Sequence, residues 1–179
     1  MSKLSLVYAP NKIFKQKAEA VGVVDDSIRS IVDDMIHIMY SEGAVGIGAN
    51  MVGLLKRIAV VDLRVDNIRN PYVLINPEII WFSEEKQTCE EASLCFPGIS
   101  AEITRPKSIM VRYLDPDGAS QKLECEGFLA TVVQHEVDYL NGVVFLDYLS
   151  KMKRDLLINK MQKHIKMHPP HVHGEHCSH

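Results

Sequence analysis

A histidine and a glutamate side by side on a predicted helix are the residues of this sequence best suited to chemistry. His135 and Glu136 lie within residues 128–140, a segment whose apolar spacing predicts a helix. The pattern H-E-x-x-H places two imidazoles on one helix face to bind one metal ion, and its glutamate activates the bound water. Tyr139 stands at the fifth position here, so the His-Glu pair alone does not establish a metal hydrolase.

Two other segments have an unusual composition. Residues 43–53 contain four glycines, which let another backbone approach closely, but they lack the Lys-Ser/Thr of a phosphate-binding loop. Residues 91–98 read Glu-Ala-Ser-Leu-Cys-Phe-Pro-Gly. In chain order, these two segments and residues 134–142 resemble the three signature motifs of the peptide deformylases, G-x-G-x-A-A-x-Q, E-G-C-L-S and Q-H-E-x-D-H-L.

The likeness covers nearly the whole chain, up to about residue 167. It continues through four shorter segments: Tyr8-Ala9-Pro10, Leu74-Ile75-Asn76-Pro77, Arg105-Pro106 and Phe145-Leu146-Asp147. The resemblance, closest to the shorter bacterial subclass, implies an α+β fold. In that fold, mostly antiparallel β-sheets surround a central helix that carries the His-Glu pair, with one helix N-terminal and one C-terminal to them.

The resemblance also implies an activity. Enzymes of this family remove the formyl group from the N-terminal methionine of nascent proteins. A divalent metal (iron, nickel or zinc) is held by the cysteine of the second motif and both histidines of the third, and the third-motif glutamate transfers protons. The first-motif glutamine and the backbone N–H of the leucine after the cysteine bind the developing oxyanion.

Several residues of this sequence match the family's functional positions. His135 matches the first histidine ligand, Glu136 the general base, and Leu94 the residue whose backbone N–H faces the oxyanion. Val45 and Gly46 match the wall of the cleft that receives the substrate backbone, together with Leu94. The resemblance therefore implies that nascent peptide N-termini are the partners of this cleft.

Three functional positions depart from the family pattern. Ser93 stands at the position of the ligand cysteine, Tyr139 at that of the second ligand histidine, and Met51 at that of the oxyanion glutamine. Serine and tyrosine hydroxyls hardly ionise near neutral pH, and methionine has no N–H to donate. We therefore expect no metal or a weakly bound divalent metal, and weak or no deformylase activity.

The substitutions leave other interpretations open. Cys95, two residues beyond Ser93, is a possible substitute ligand, which would give an active deformylase or amidase with a remodelled metal site. Alternatively, Ser93 and Tyr139 bind a harder ion through oxygen, or hydrogen-bond to His135 in a metal-free pocket, which we favour because a buried tyrosine hydroxyl usually finds a polar partner.

The elements that position these residues follow from apolar spacing and turn signals. Residues 25–40 predict an amphipathic helix, and residues 150–167 predict another that ends before Pro169-Pro170. Between residues 57 and 127, short β-rich runs alternate with turn signals, one of them at Asn76-Pro77. Consecutive strands with helices at the ends indicate the α+β class.

Residues 1–167 are predicted to form a single domain, followed by a His-rich tail at residues 168–179 that we expect to be flexible. The tail contains five histidines and Cys177, a composition that can capture metal ions, so a metal-handling function through the tail is a further alternative. Four cysteines without a CxxC pair do not indicate a disulfide framework.

Charge and hydropathy restrict the partners and the location. No apolar run approaches the ~18 residues of a membrane span, and the N-terminus has no secretory signal, so we expect a cytoplasmic protein without a membrane partner. Residues 151–167 hold six basic side chains and one acidic one, a net charge of +5, although the whole chain carries −3. This segment either contacts an anionic surface, such as the ribosome, or is a solvated lysine face; no specific nucleic-acid motif is present.

Overall fold

The computed structural model describes residues 4–169 of the chain. Three helices and seven strands follow one another in this order: α1 (Asp26–Ser41), β1 (Gly46–Gly48), β2 (Ile58–Val61), β3 (Tyr72–Phe82), β4 (Lys86–Glu91), β5 (Ala101–Pro106), β6 (Ser108–Leu114), β7 (Ser120–Glu126), α2 (Gly127–Leu140) and α3 (Lys151–Met167). Short 3-10 turns lie at Lys12–Lys15, Ala49–Val52, Val65–Asn67 and Phe145–Tyr148. The fold is α+β, as predicted.

The three predicted helices are confirmed within one residue at each end. Asp25 caps α1 by accepting a hydrogen bond from the Ile28 N–H at 3.0 Å, and Ser150 caps α3 through the Lys153 N–H. Helix α1 buries one apolar stripe: Ile28, Val32, Met35, Ile38 and Met39. Helix α3 buries Met161 alone among its described residues, because most of its surface is charged.

The strands form two antiparallel sheets. The larger has five strands in the order β1-β2-β3-β6-β7, and the smaller is the hairpin of β4 and β5. Strand β1 is therefore an edge strand of the larger sheet, paired on one side only with β2. The outer edge of an edge strand has no neighbouring strand to pair with its backbone groups.

The turn predicted at Asn76-Pro77 is wrong, because β3 runs through it as one strand of 11 residues. Asn76 has a positive φ of 52°, and the pairing with β6 shifts between Ile75 and Glu78, which marks a β-bulge. The Asn76 side chain bonds to the backbone N–H and carbonyl of Val21 at 2.7 and 2.8 Å, which stabilises this irregular position.

Two strands escaped prediction for opposite reasons. Strand β1 is Gly-Ile-Gly, too short and glycine-rich to give a strand signal. Strand β4 is Lys-Gln-Thr-Cys-Glu-Glu, a polar sequence in which only the last residue is buried. Pairing with β2 and β5 respectively, rather than intrinsic propensity, makes them strands.

Helix α2 lies between two hydrophobic clusters, and ten of its fourteen residues are buried. Val133, Val137 and Leu140 belong to the cluster beneath the larger sheet, whereas Tyr139 packs with α1 and the aromatic residues of the other. The His-Glu helix is central because apolar residues on different sides of it pack into both clusters. None of the helices between residues 4 and 169 is long and apolar enough to cross a membrane.

Candidate functional site

A cavity of about 560 Å³ lies between α2, the segment before β1 and the segment after β4. Both residues of the His-Glu pair line it, and so do five other residues singled out in the sequence: Val45, Gly46, Met51, Ser93 and Leu94. Tyr139 and Cys95 are not among its lining residues. The three sequence segments that resemble the family motifs thus meet at one cavity.

His135 is held by a buried chain of charged groups. Its Nδ1 lies 2.8 Å from Glu91 Oε2, and Arg105 binds the same carboxylate through Nε at 2.6 Å and Nη2 at 3.0 Å. Arg105 Nη1 also donates to Asp138 at 2.7 Å and to the Tyr148 hydroxyl at 3.0 Å. The side chains of Glu91 and Arg105 are only 4% and 3% exposed, so this is an internal ion pair.

The ion pair determines how the imidazole is oriented. Burial raises the pKa of Glu91, but the hydrogen bonds from His135 and Arg105 outweigh it and hold that pKa below its ordinary value. Because an ionised carboxylate only accepts hydrogen bonds, Nδ1 of His135 carries a hydrogen. Its Nε2 is left for the cavity that the ring lines.

Tyr139 donates its hydroxyl hydrogen to Ser93 Oγ at 2.6 Å. The expected hydrogen bond from Tyr139 to His135 is therefore wrong: the two rings only pack together, with centroids 5.2 Å apart. One reason is that Glu91 already engages His135 Nδ1. The side chains at the positions of the ligand cysteine and of the second ligand histidine thus form a hydrogen bond with each other.

Cys95 lies in a turn rather than in an extended segment, since the Phe96 N–H bonds to the Ser93 carbonyl at 3.1 Å. Its thiol is fully buried and donates to the Met51 carbonyl at 3.8 Å. Burial, followed by the charge of Glu136, raises the pKa of the Cys95 thiol far above its ordinary value. This is the environment of a structural thiol.

Glu136 packs against the backbone of β1. A Cβ atom at Gly46 would lie 2.6 Å from Glu136 Oε1, so any larger residue there must displace the Glu136 carboxyl. Within the described part of the chain, Glu136 Oε2 is buried without a hydrogen-bond partner. Burial raises the pKa of Glu136 to about 7, and the neighbouring Glu91 raises it further, against the lowering effect of His135.

We expect Glu136→Gln to change how stability depends on pH. The raised pKa favours the protonated carboxyl in the folded state, so this contribution is complete below the unfolded value near 4.5 and is lost as pH rises through about 7. Between about pH 4 and 8.5, the free energy of unfolding of the variant should rise by about 3 kcal/mol relative to the parent. Urea denaturation with EDTA present measures it.

The matched control is Glu124→Gln on β7, which also removes one carboxyl but from an exposed position. Its curve of unfolding free energy against pH should run parallel to that of the parent protein. A Glu136→Gln curve that is also parallel to the parent would contradict the raised pKa.

The position matching the oxyanion glutamine is filled by a sulfur that accepts rather than donates. Met51 Sδ lies 3.2 Å from the Gly48 N–H, which donates to it. Among the hydrogen bonds between described residues, none uses the backbone N–H of Leu94. Leu94 therefore keeps a free donor at the cavity wall, whereas Met51 supplies none.

Sequence reasoning missed parts of this site. His168, assigned to the tail, directly follows α3, stacks on His164 with centroids 4.8 Å apart and lines the cavity. Glu91 and Arg105 were noted only as parts of motifs, because nothing in their spacing along the chain shows that they pair. The other residues of the proposed metal-capturing tail, the histidines at positions 171, 173, 176 and 179 and Cys177, lie outside the described residues.

Comparisons with known proteins agree with this geometry. The polypeptide deformylase family matches residues 3–155. A protein of Rickettsia conorii named "Peptide deformylase-like" is 63% identical over 97% of this chain and 95% of its own length, and a peptide deformylase of Bartonella bacilliformis is 40% identical over 90% and 92%. The crystal structure of peptide deformylase from Ehrlichia chaffeensis superposes with a TM-score of 0.86 at 40% identity, covering 92% of this chain and 97% of that one. The chain belongs to the peptide deformylase family.

Proposed function

We propose that this protein binds the N-terminal segments of nascent peptides in its cavity and removes N-formyl groups weakly or not at all. The observation that carries the proposal is the hydrogen bond between Tyr139 and Ser93. This hydrogen bond joins two neutral hydroxyls, Ser93 at the position of the family's thiolate ligand and Tyr139 at the position of its second imidazole ligand. His135 is then the only ligand position that keeps its family residue.

The chemistry of the donor set does not fit iron, nickel or zinc. These ions bind thiolate and imidazole strongly and neutral hydroxyls poorly. Burial, followed by the charge of Cys95, raises the pKa of Tyr139 well above its ordinary value, so a phenolate ligand is disfavoured. The buried thiol of Cys95 is likewise disfavoured as a thiolate.

The walls of the cavity support peptide binding by themselves. Val45 and Gly46 lie at the free edge of the five-stranded sheet, where an extended peptide can pair with the backbone. Leu94 offers its side chain and a free N–H on the opposite wall. His135, held by Glu91, and Glu136 form the floor on α2.

The same proposal assigns α3 to a contact with the ribosome, in the cytoplasm. Five of its lysines are exposed, at positions 151, 153, 160, 163 and 166, whereas the helix buries only Met161 among the residues described. A basic helix face attracts a polyanion such as ribosomal RNA. This would hold the cavity near emerging peptide N-termini.

The test uses the full chain, purified under reducing, anaerobic conditions. We expect substoichiometric metal, little hydrolysis of N-formyl-Met-Ala-Ser, and measurable calorimetric binding of Met-Ala-Ser peptides. Gly46→Ala should weaken that binding by at least about tenfold, because the added methyl displaces the Glu136 carboxyl into the cavity.

Gly22→Ala is the matched control, since a Cβ there meets nothing within 4 Å, and its peptide affinity should equal that of the parent. Circular dichroism verifies that both variants fold. Stoichiometric metal with efficient hydrolysis would show an active deformylase or amidase with a remodelled metal site. Absence of peptide binding would refute the binding function.

A further inference from the structure

Helix α3 is the least buried of the three helices, and a cavity lies beneath it. Among the described residues α3 buries only Met161, whereas α1 buries five residues and α2 ten. Because so little of α3 packs into the core, a cavity of about 430 Å³ remains between it and the 3-10 turns Lys12–Lys15 and Phe145–Tyr148. None of the residues described as lining this α3 cavity also lines the cavity of His135.

The walls of the α3 cavity are apolar. Six of the eight apolar side chains that line it belong to the buried core, among them Phe14, Phe96 and Leu146. Ligand cavities of this size are lined mainly by apolar side chains, with a few polar groups that fix the orientation of the ligand. These walls would therefore bury an apolar part of a ligand.

The charged side chains that line the α3 cavity are mostly cationic. Lys12, Lys15 and Arg154 stand there with a single carboxylate, Asp147. The Asp147 carboxylate already accepts from the Lys15 ammonium at 2.7 Å and lies 3.8 Å from the Arg154 guanidinium. Lys12 has no ion-pair partner within residues 4–169. Three cations with one carboxylate leave a net charge of +2, which attracts an anion.

The cations and the apolar walls are arranged in order along one face of α3. Arg154, Ile158 and Met161 all line the cavity and stand at positions i, i+4 and i+7 of the helix, which share one face. Seven residues of an α-helix span about 10 Å. The cavity thus offers a guanidinium at one end of α3 and an apolar wall long enough for a medium-length alkyl chain.

We propose that the α3 cavity binds medium-chain carboxylates such as fatty acids, with the carboxylate beside Arg154 and Lys12 and the alkyl chain along Ile158 and Met161. A carboxylate accepts charge-assisted hydrogen bonds from guanidinium and ammonium groups. A small inorganic anion would leave the apolar wall uncovered, and a cationic amphiphile would be repelled by the lining cations. The inference is independent of the proposed peptide binding, because the two cavities share no described lining residue.

The experiment is calorimetry of the full chain at pH 7.5 with three probes: octanoate, butyrate and octylammonium. We expect octanoate to bind at least about tenfold more tightly than butyrate, because each further methylene group buried against the wall strengthens binding. Octylammonium has the same chain length and the opposite charge, and we expect it to bind at least about tenfold more weakly than octanoate.

Ile158→Asp locates the binding site, because it places a carboxylate in the apolar wall. The affinity for octanoate should fall at least about tenfold, since the new charge repels the ligand and must itself be hydrated. Leu156→Asp is the matched control. Leu156 lies on the same helix, is 64% exposed and is not a lining residue, so its substitution should leave the affinity unchanged.

A double variant tests the cations without altering the apolar wall. Lys12→Met with Arg154→Met keeps the apolar stems and removes two positive charges, and the affinity for octanoate should fall at least about tenfold. Lys163→Met with Lys166→Met makes the same change in net charge at exposed positions of α3 that do not line the cavity, and should change nothing. Circular dichroism verifies that each variant folds.

Several outcomes would overturn the inference. Octanoate that fails to bind, binds no better than octylammonium, or binds equally well to the Ile158→Asp variant does not occupy this cavity in the proposed way. A dimer in sedimentation equilibrium that Ile158→Asp separates would also overturn it, because a second copy of the chain would then cover the cavity. Failure of Met-Ala-Ser binding refutes the proposed function and leaves this inference standing.

Discussion

Arg105→Met is expected to lower the free energy of unfolding by about 3–5 kcal/mol. Methionine fills much of the space of the arginine stem, but it leaves the Glu91 carboxylate buried without its two hydrogen bonds from the guanidinium, at 2.6 and 3.0 Å. Asp138 loses a hydrogen bond from the same guanidinium. Urea denaturation measures the change, as a shift of the midpoint at constant slope.

Arg112→Met on β6 is the matched control. Arg112 also pairs with a glutamate, Glu78, at 2.6 Å, but both side chains are more than half exposed. Removing such a surface pair should cost no more than about 1 kcal/mol. If the two variants were equally destabilised, the buried ion pair of Arg105 would contribute no more to stability than the exposed ion pair of Arg112.

A second substitution distinguishes the loss of the Arg105–Glu91 ion pair from the cost of leaving the Glu91 carboxylate unpaired. Adding Glu91→Gln to Arg105→Met removes the unpaired carboxylate, so the double variant should recover part of the lost stability. It also weakens the acceptor that holds His135 Nδ1. We therefore expect the double variant to be more stable than Arg105→Met and still less stable than the parent.

The helices could be predicted because their sequences carry their own signals. Helix α1 has one apolar stripe and a capping aspartate, and its prediction needs no knowledge of the rest of the chain. Strands β1 and β4 could not be predicted, since a glycine-rich triplet and a polar hexapeptide become strands only by pairing. Asn76 was predicted to lie in a turn because Asn-Pro is a turn signal, yet its positive φ makes a bulge within β3.

In the candidate site, individual residues could be predicted from the sequence, but the contacts between them could not. Seven of the residues that line the cavity, from Val45 to Glu136, were singled out from motifs, whereas others such as His168 were not. The contacts that hold the site together were not predictable, because Glu91 and Arg105 lie 14 positions apart in the sequence and Ser93 and Tyr139 lie 46 apart. The direction of the Tyr139 hydroxyl depends on which neighbours are already bonded, and no sequence pattern records that.

Restoring the three substituted positions should convert the protein into a metal-dependent deformylase. We expect the combination of Ser93→Cys, Tyr139→His and Met51→Gln to retain a stoichiometric divalent ion and to hydrolyse N-formyl-Met-Ala-Ser at least about 100-fold faster than the parent. The oxyanion donor alone commonly contributes about 10²–10³ in rate. The thiolate and second imidazole complete a three-ligand set with His135.

The main obstacle is packing, not chemistry. Tyr139 is fully buried, with its ring edge-on to Phe14 at 5.7 Å between centroids, so a smaller imidazole leaves a void that costs a few kcal/mol. Metal binding to a complete ligand set contributes more, about 10–16 kcal/mol for structural zinc in small domains. The variant should therefore be unstable without metal and gain thermal stability when zinc or nickel is added.

Adding Glu136→Gln to the triple variant tests whether its activity is of the family type. The carboxamide cannot accept the proton of an attacking water, so hydrolysis should fall to the parent level while the ion is retained. Activity that persisted would come from a contaminating host enzyme or a different base. A folded triple variant that still bound no metal would mean that the deeper packing around Tyr139, and not the missing donors, excludes the ion.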